Sequence, residues 1–380
     1  MLKIAIISGE PSGDILAAKL IRNLKLYYNG PISFKGIGGY HMKQEGFESS
    51  YDMSVLSVGG FGFDVIRSIP KIMIIRHNII KQLLEFKPDV FIGVDAPDFN
   101  LYVESKLKQN GIKTVHYISP TIWAWRYERI FKIKKFTDIV LCVFPMEEKI
   151  YAKENIKAKF VGHELANKIE ENLDVDYYKS KLNLEGVIFA VLVGSRKQEL
   201  KNLTKIFIET CNLIAKTVPE ATFVFPIVND KIYKQFKQIF DSVKINFKYR
   251  IFIDQTQNVI SASDLVLSKS GTVTLEVALC KKPMLISYKV SKLSEWIVRR
   301  KIKIKYIGLP NILLDELVVK EILQEDANPE NLAREFVNLY QNKKLQLQII
   351  DKFAKLHMML KSKNNFDAAI EVLNLISEGV

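Results

Sequence analysis

Short, unbroken apolar runs alternate with longer segments of helical spacing through most of the chain. The runs lie at residues 3–7, 32–36, 88–92, 112–117 and 138–143, and again at 187–193, 222–227, 249–253, 264–268 and 283–288. Runs of this length are typical of strands buried on both faces, and the amphipathic stretches between them are typical of helices. The pattern therefore predicts an α/β fold with parallel sheets covered by helices.

The pattern ends and restarts near the middle of the chain, which predicts two Rossmann-like domains and a helical tail. We place the N-terminal domain at residues 1–165, the second domain at 166–345 and the C-terminal helices at 346–380. From Asp315 onward the spacing is helical throughout, and glycine and proline are scarce. Such a tail can cross back onto the first domain or exchange with a partner chain in a homodimer.

Composition narrows the class of protein. Hydrophobic residues make up 48% and charged residues 26% of the 380 residues, as expected for a globular protein. The net charge of +13 favours an anionic partner, such as nucleotide phosphates, an acidic membrane surface or nucleic acid. The three cysteines stand apart, which indicates neither a disulfide framework nor a zinc site.

No segment of the sequence has the pattern of a membrane span. No apolar run approaches the ~18 residues that a spanning helix needs, and Met1-Leu2-Lys3 leads straight into the first strand. We therefore expect a cytoplasmic protein without a signal peptide, whose contact with a membrane is peripheral.

A carboxylate follows the strand at 88–92. Pro97 must end that strand, because it has no N–H for a ladder, and so Asp95 lies at the carboxyl end. Ligands of open parallel sheets bind outside the carboxyl ends of the strands. Asp95 is therefore a candidate general base; the alternative is that Asp95 or Asp98 caps the next helix.

Two other loops of the first half carry candidate ligand contacts. Residues 8–14 form a small-residue turn before a helix, which can bring N–H groups close to an anion, although the turn is not GxGxxG. Residues 119–126 place two tryptophans beyond a strand end, where a sugar or acyl chain can stack. Asp14 is alternatively an N-cap. The candidates from these loops are Gly9, Ser12, Gly13, Asp14, Asp98, Trp123, Trp125 and Arg126.

Two strand-to-helix turns in the second half have the chemistry of a phosphate site. Gly194-Ser195-Arg196 can offer backbone N–H groups and a guanidinium. Ser270-Gly271-Thr272 is expected to open a helix, and Glu276 lies about one turn further on. The Glu276 carboxylate is placed to accept hydrogen bonds from ribose hydroxyls; the alternative is that it is an acidic residue of the first turn that the helix dipole stabilises. No DxD-like acidic pair indicates a metal site.

Residues 58–86 contain more apolar side chains than one core-facing stripe needs, with cations interleaved. We expect Pro70 to open a helix in this segment. A helix that is apolar on more than one face and flanked by cations can rest on an anionic bilayer; the alternative is burial between the sheet and its neighbours. The candidate membrane-associating residues are Phe61, Phe63, Ile66, Ile69 and Met73.

Six motifs occur in an order that resembles the lipid-A-disaccharide synthase family. They are GEPSGD at 9–14, GVDAPDFN at 93–100, YISPTIWAWR at 117–126, GSR at 194–196, SGTVTLE at 270–276 and LPN at 309–311. The resemblance extends over nearly the whole chain. It implies a GT-B glycosyltransferase whose two Rossmann-like domains face each other across a cleft.

The same resemblance implies the reaction. The donor would be UDP-2,3-diacylglucosamine and the acceptor 2,3-diacylglucosamine 1-phosphate (lipid X). Inverting transfer would give the β-1,6-linked disaccharide 1-phosphate and UDP, with no cofactor and no metal. The apolar segment after Val58 matches a surface that associates with the anionic inner membrane of Gram-negative bacteria.

Residue roles are implied in the same way. Asp95 matches the position of the base. The UDP-sugar site is implied for Gly194, Ser195, Arg196, Ser270, Gly271, Thr272, Glu276 and, near it, Asn311. Two departures from the family pattern, Val193 and Glu164, affect the shape of loops and remove no side chain that the mechanism uses.

The residues by themselves leave two other functions open. A UDP-N-acetylglucosamine 2-epimerase would have the same architecture, but it gives no reason for the tryptophan loop or the excess apolar helix. A nucleic-acid-binding protein would explain the charge. However, Lys and Arg are spread along the chain and no reading module is present, so we predict no nucleic-acid partner.

Overall fold

The computed structural model describes residues 1–56, 63–290, 305–361 and 367–378, and the side chains of 63–69 are not described. The chain forms two compact units. Unit 1 comprises Met1–Glu164 together with Leu360–Val380, and unit 2 comprises Leu165–Met359. Each unit is built on a parallel sheet with flanking helices, which confirms the predicted α/β class.

Seven parallel strands form the sheet of unit 1, in the order β3-β2-β1-β4-β5-β6-β7. The order reverses between β1 and β4, where Ser8 lies beside Val94. The carboxyl ends of these two strands are therefore the topological switch point, at which ligands of such sheets bind. The strands are β1 (Leu2–Ser8), β2 (Ile32–Gly38), β3 (Ser49–Asp52), β4 (Val90–Val94), β5 (Lys113–Tyr117), β6 (Ile139–Cys142) and β7 (Ala158–Phe160).

Helices follow these strands, and a 3₁₀ turn at Met53–Val55 follows β3. The helices are α1 (Pro11–Tyr27), α2 (Tyr40–Gln44), α3 (Phe63–Phe86), α4 (Pro97–Lys108), α5 (Arg129–Phe136), α6 (Pro145–Lys153) and α7 (Glu164–Lys168), the last beginning where unit 1 passes into unit 2.

Helix α3 corrects one prediction. We expected Pro70 to open a helix, but α3 runs from Phe63 to Phe86 with Pro70 inside it. The missing N–H removes one helical hydrogen bond. The helix continues because Ile75, Ile79 and Leu83, spaced by four, are buried in the core of unit 1. Residue 61 and the side chains of 63, 66 and 69 lie outside the described part, whereas Met73 is 54% exposed.

Six parallel strands form the sheet of unit 2, in the order β10-β9-β8-β11-β12-β13. This order reverses between β8 and β11, so unit 2 has its own switch point. The last strand was not predicted, because three residues are too short for an apolar run to stand out. The strands are β8 (Ile188–Leu192), β9 (Thr222–Ile227), β10 (Lys248–Ile253), β11 (Leu265–Lys269), β12 (Met284–Tyr288) and β13 (Glu321–Leu323).

The helices of unit 2 include one that starts later than predicted: α12 begins at Val273, not at Ser270. Within the described ranges, none of the helices combines the length and apolarity needed to span a bilayer. The helices are α8 (Val175–Lys181), α9 (Lys197–Thr217), α10 (Asp230–Phe240), α11 (Thr256–Ala262), α12 (Val273–Leu279), α13 (Leu309–Leu314), α14 (Pro329–Gln341) and α15 (Lys343–Leu360).

The last helix, α16 (Ala368–Ser377), packs on α1 and β5 of unit 1. The Asn23 amide donates to the Asp367 carboxylate at 2.6 Å. Lys113 Nζ donates to the carbonyl oxygens of Leu375 and Ile376, where a helix end leaves such groups without helical partners. Residues 346–359, which we predicted in the tail, lie in unit 2. Exchange of the tail with a partner chain stays a prediction.

Candidate active site

The turn between β4 and α4 carries Asp95 at the switch point of unit 1. Asp95 and Ala96 both have left-handed backbones, with φ of 54° and 43°. Each costs about 1–2 kcal/mol for a residue with a Cβ, and strain of this kind concentrates at functional sites. Asp95 is half-buried, and its carboxylate has no hydrogen bond or ion pair with any described residue.

Asn100, one turn into α4, holds this turn in place. Its Nδ2 group donates to the carbonyl oxygens of Asp95 at 2.8 Å and of Ile7 and Val94 at 3.3 Å each. The residue is fully buried, and its Oδ1 atom has no partner among the described residues. The amide thus ties the ends of β1 and β4 to the strained turn.

A buried polar cluster lies behind Asn100, and sequence reasoning missed it. Glu104 Oε1 lies 2.6 Å from His116 Nδ1, and Glu104 Oε2 accepts from Thr137 Oγ1 at 2.5 Å. A Cβ on Gly93 would lie 2.8 Å from both Asn100 Cβ and Glu104 Oε1, so the glycine makes room for the cluster. The spacing of four between Asn100 and Glu104, which puts both on one helix face, was the available signal.

The loop after β1 contacts the same turn. A Cβ on Gly9 would lie 2.6 Å from Ala96 Cβ, and one on Gly13 would lie 2.8 Å from Ser8 Oγ. Ser12 is exposed in the first turn of α1.

Asp14 differs from both sequence interpretations. It is buried, and its carboxylate accepts from the N–H groups of Gly39 at 2.7 Å and His41 at 2.8 Å. It therefore caps α2 rather than its own helix.

The structure brings Asp98, Trp125 and Arg126 together. Asp98 pairs with Arg129 and, at 3.7 Å, with Arg126. The Arg126 guanidinium lies 4.3 Å from the Trp125 ring centroid, within cation–π range. Because Asp98 lies in the first turn of α4 and the other residues follow β5, this exposed cluster lies beside the Asp95 turn along the carboxyl edge of the sheet.

Trp123 points elsewhere, and its Nε1 group donates to Glu147 Oε1 at 3.2 Å. Burial raises the pKa of Glu147 to about 8, against the opposing effect of hydrogen bonds from Phe144, Trp123 and Ser119. This carboxyl is therefore mostly protonated at neutral pH and contributes no charge to the loop. Trp123 is anchored, whereas Trp125 stays 38% exposed.

A cavity of about 260 Å³ lies at the switch point of unit 2. Five of the predicted residues line it: Gly194, Ser195, Arg196, Gly271 and Thr272. Its walls also include Glu199 and Lys269, which sequence reasoning missed. Among the described residues, no three His, Cys, Asp or Glu side chains are grouped as they would be to hold a metal ion.

The Glu199 carboxylate accepts hydrogen bonds from the N–H groups of the 194–196 turn, which we predicted to bind a phosphate. Its Oε2 atom accepts from Ser195 N at 3.0 Å and Arg196 N at 3.2 Å, and its Oε1 atom lies 2.8 Å from Lys269 Nζ. Burial acts to raise the pKa of Glu199, but Lys269 and the two N–H groups outweigh it and hold the pKa below its ordinary value. Gly194, at φ 108°, is needed because a Cβ there would lie 2.5 Å from Glu199 Oε2.

Neither Arg196 nor Glu276 has a side-chain ion pair or hydrogen bond with another residue that the structure describes. The Arg196 guanidinium is exposed and has no ion pair with any described residue. Glu276 is half-buried, and its carboxylate has no hydrogen-bond partner in the described part of the chain. Burial raises the pKa of Glu276, and the charge of Lys168 acts against that rise.

The side chains of Ser270 and Asn311 bond to other parts of the chain, although we predicted that both residues contribute to the nucleotide site. Ser270 is buried, and its hydroxyl donates to Ile307 O at 2.9 Å. Asn311 is fully buried; its amide donates to Val319 O and Glu321 Oε1 at 2.8 Å each. Its Oδ1 atom accepts from the N–H groups of Val318 and Val319. These four bonds use both donors of the Asn311 amide and its oxygen, so the side chain supports α13 and the loop that follows it.

Comparison with known proteins gives one consistent family. The family model described as lipid-A-disaccharide synthetase matches residues 4–372. The lipid-A-disaccharide synthase of Chromobacterium violaceum is 43% identical over 377 residues, covering 98% of this chain and 97% of that protein. The enzyme of the same name from Neisseria meningitidis serogroup B is also 43% identical, over 97% of each chain.

Solved structures show the same fold at low sequence identity. The UDP-GlcNAc 2-epimerase of Neisseria meningitidis, bound to UDP-GlcNAc, matches with a TM-score of 0.60 and 14% identity, over 99% of this chain and 100% of that one. The UDP-GlcNAc 2-epimerase of Methanocaldococcus jannaschii matches with a TM-score of 0.57 and 18% identity over the full length of both chains. These likenesses establish the architecture alone.

Proposed function

The chain belongs to the lipid-A-disaccharide synthase family, and from this premise we propose that it joins UDP-2,3-diacylglucosamine to lipid X. The protein is a glycosyltransferase that makes the lipid A disaccharide from a nucleotide sugar and a lipid acceptor. The predicted family and GT-B architecture are thereby confirmed. The identity of the two acylated glucosamines and the roles of individual residues are our proposal.

Asp95 is the base in this mechanism. Its carboxylate takes the proton of the acceptor 6-hydroxyl as that oxygen attacks the anomeric carbon of the donor. The bond from the anomeric carbon to the UDP oxygen breaks with its electron pair, and UDP leaves from the opposite face. The observation that carries the proposal is the Asp95 carboxylate itself, which is unpaired among the described residues and held by a strained turn at a switch point.

The donor binds at the switch point of unit 2. The Arg196 guanidinium and the N–H groups near Gly194 and Gly271 receive the diphosphate, whose negative charge grows as the bond breaks. The Glu276 carboxylate accepts hydrogen bonds from the ribose hydroxyls. Ser270 and Asn311 act as supports of the loops on either side.

Product analysis tests the reaction. Incubation with the two acylated glucosamine substrates should yield UDP and a tetraacyl disaccharide 1-phosphate by mass spectrometry, and EDTA should leave the rate unchanged. Interconversion of UDP-N-acetylglucosamine with its 2-epimer, without disaccharide, would instead establish the epimerase alternative. Loss of the product in EDTA would contradict the metal-free prediction.

The protein also meets its substrates at an anionic membrane surface, on the cytoplasmic side of the inner membrane. Both substrates carry acyl chains, and the chain has a net charge of +13. The described part of α3 presents Met73 and Ile74 to solvent, at 54% and 61% exposure, with Lys71 exposed beside them. Exposed apolar residues next to cations suit an interfacial helix.

Replacing Met73 and Ile74 by serine should weaken binding to vesicles of anionic phospholipid by about tenfold or more, because two apolar side chains no longer enter the interface. Flotation of the vesicles measures this. The matched control is serine at Leu345 and Leu347, which are 38% and 67% exposed on α15 of unit 2. Equal flotation of all three proteins would contradict the assignment of this surface.

A further inference from the structure

In unit 2, the Glu199 carboxylate is bound to the same backbone N–H groups that we assign to the donor diphosphate. Glu199 lies in the first turn of α9 and bends back, so that one oxygen accepts from two consecutive N–H groups. Its other oxygen faces Lys269 Nζ. The two side chains are only 17% and 14% exposed, so the pair is shielded from bulk water inside the cavity.

Lys269 reaches this position because of the sheet order. It is the last residue of β11, and β11 lies directly beside β8, with Ser268 opposite Leu192. The ammonium therefore faces the loop that leaves β8. It also lies against Gly271, where a Cβ would come within 2.7 Å of Nζ. One cation thus contacts both halves of the proposed donor site.

We propose that Glu199 is a stand-in for the donor diphosphate, and that Lys269 passes from Glu199 to a diphosphate oxygen when the nucleotide binds. This inference rests on the proposed function. On binding, the Ser195 and Arg196 N–H groups exchange the carboxylate for phosphate oxygens. Lys269 is a nucleotide-binding residue that the family motifs did not indicate, and Glu199 is the carboxylate that the diphosphate displaces from it.

The exchange follows from charge. A diphosphate and the Glu199 carboxylate need the same donors, and two anions cannot share two N–H groups at hydrogen-bond distance without strong repulsion. Before binding, Glu199 gives the shielded Lys269 ammonium a charged partner. After binding, Lys269 is free to make a charge-assisted hydrogen bond to phosphate.

Calorimetric titration of UDP into Glu199→Gln, Lys269→Met and the double variant tests the proposal, with uridine as the ligand that lacks phosphate. Glu199→Gln should bind UDP about tenfold more tightly, because the competing charge is gone. Lys269→Met should bind UDP about ten- to a hundredfold more weakly, the effect of losing one charge-assisted hydrogen bond. Uridine binding should be unchanged throughout.

The double variant separates direct contact from neutralisation of Glu199. If Lys269 binds the diphosphate, Lys269→Met weakens UDP binding in the Glu199→Gln background as well. If Lys269 only neutralises Glu199, its effect vanishes in that background and the proposal fails. The matched control pair is Glu209→Gln and Lys205→Met, an exposed ion pair further along α9.

Failure of the proposed function would look different. A wild-type protein that binds no UDP would overturn the donor site itself. A wild-type protein that binds UDP, with variants that bind it equally well, would overturn only the exchange. Unfolding temperatures of the variants within the range of the control pair show that the fold is intact in each comparison.

Discussion

Replacing Asp95 by asparagine should lower turnover by about 10²- to 10⁴-fold, the usual contribution of a general base. Asparagine keeps the size of the side chain and its place on the left-handed turn, where this residue type is tolerated. It cannot take a proton from the acceptor. UDP binding, measured by calorimetry, should stay within about twofold of the wild type, because the step lost is the chemical one.

The control for this variant is Asp89→Asn, at the residue directly before β4. Asp89 is exposed at the amino end of β4, where its carboxylate accepts from Lys3 N at 2.8 Å. Its replacement makes the same chemical change at the opposite edge of the sheet and should leave turnover near the wild-type value. Turnover of the Asp95 variant within a few-fold of that control would remove Asp95 from the base position.

Replacing Asn100 by aspartate should destabilise unit 1 by about 3 kcal/mol or more at pH 8. The change turns a group that donates to three carbonyl oxygens into a buried carboxylate that faces them, with Glu104 one turn away. Burial raises the pKa of the introduced carboxyl. The folded state then holds its proton more tightly than the unfolded state, so the defect shrinks as the pH is lowered below that raised pKa.

The loss of stability is measured at pH 8 and pH 5 by unfolding in urea, with hydrogen exchange of the β1 and β4 amides as the probe. The control is Asn110→Asp, at an exposed amide just after α4 that donates to Lys106 O at 2.8 Å. Turnover of the Asn100 variant should fall as well, since the Asp95 turn loses its support. A stability within about 1 kcal/mol of the control at both pH values would show that the three carbonyl bonds contribute little.

The strand ends and helix starts around both sites could be predicted from the sequence, because they depend on local signals. The apolar run before Asp95 and the proline after it indicate where a strand ends and a helix starts, and β4 and α4 confirm this. The Gly194 turn was recognisable in the same way, between β8 and α9. Each of these inferences needed only a few neighbouring residues.

The side-chain contacts within the sites were harder to predict, because they depend on strand order and on competition for hydrogen bonds. Lys269 meets Glu199 only because β11 lies beside β8, although the two residues are 70 positions apart in sequence. Asn311 looked like a ligand contact, but its four bonds to the chain are visible only in three dimensions. Glu199 had a local signal, since it stands three residues after the residue that precedes α9, as in a capping box.

The return of α16 to unit 1 affects how the protein is made on the ribosome. Unit 2 is one continuous stretch, Leu165–Met359, whereas unit 1 is made from both ends of its range, Met1–Glu164 and Leu360–Val380. Most of unit 1 is synthesised first, but it lacks the contacts of α16 until the end of its range is made. These contacts are the Asp367 carboxylate, which precedes the helix, and the carbonyl oxygens that Lys113 binds. The nascent N-terminal unit therefore stays incomplete until residues 367–377 have left the ribosome, and only then is the scaffold around the Asp95 turn complete.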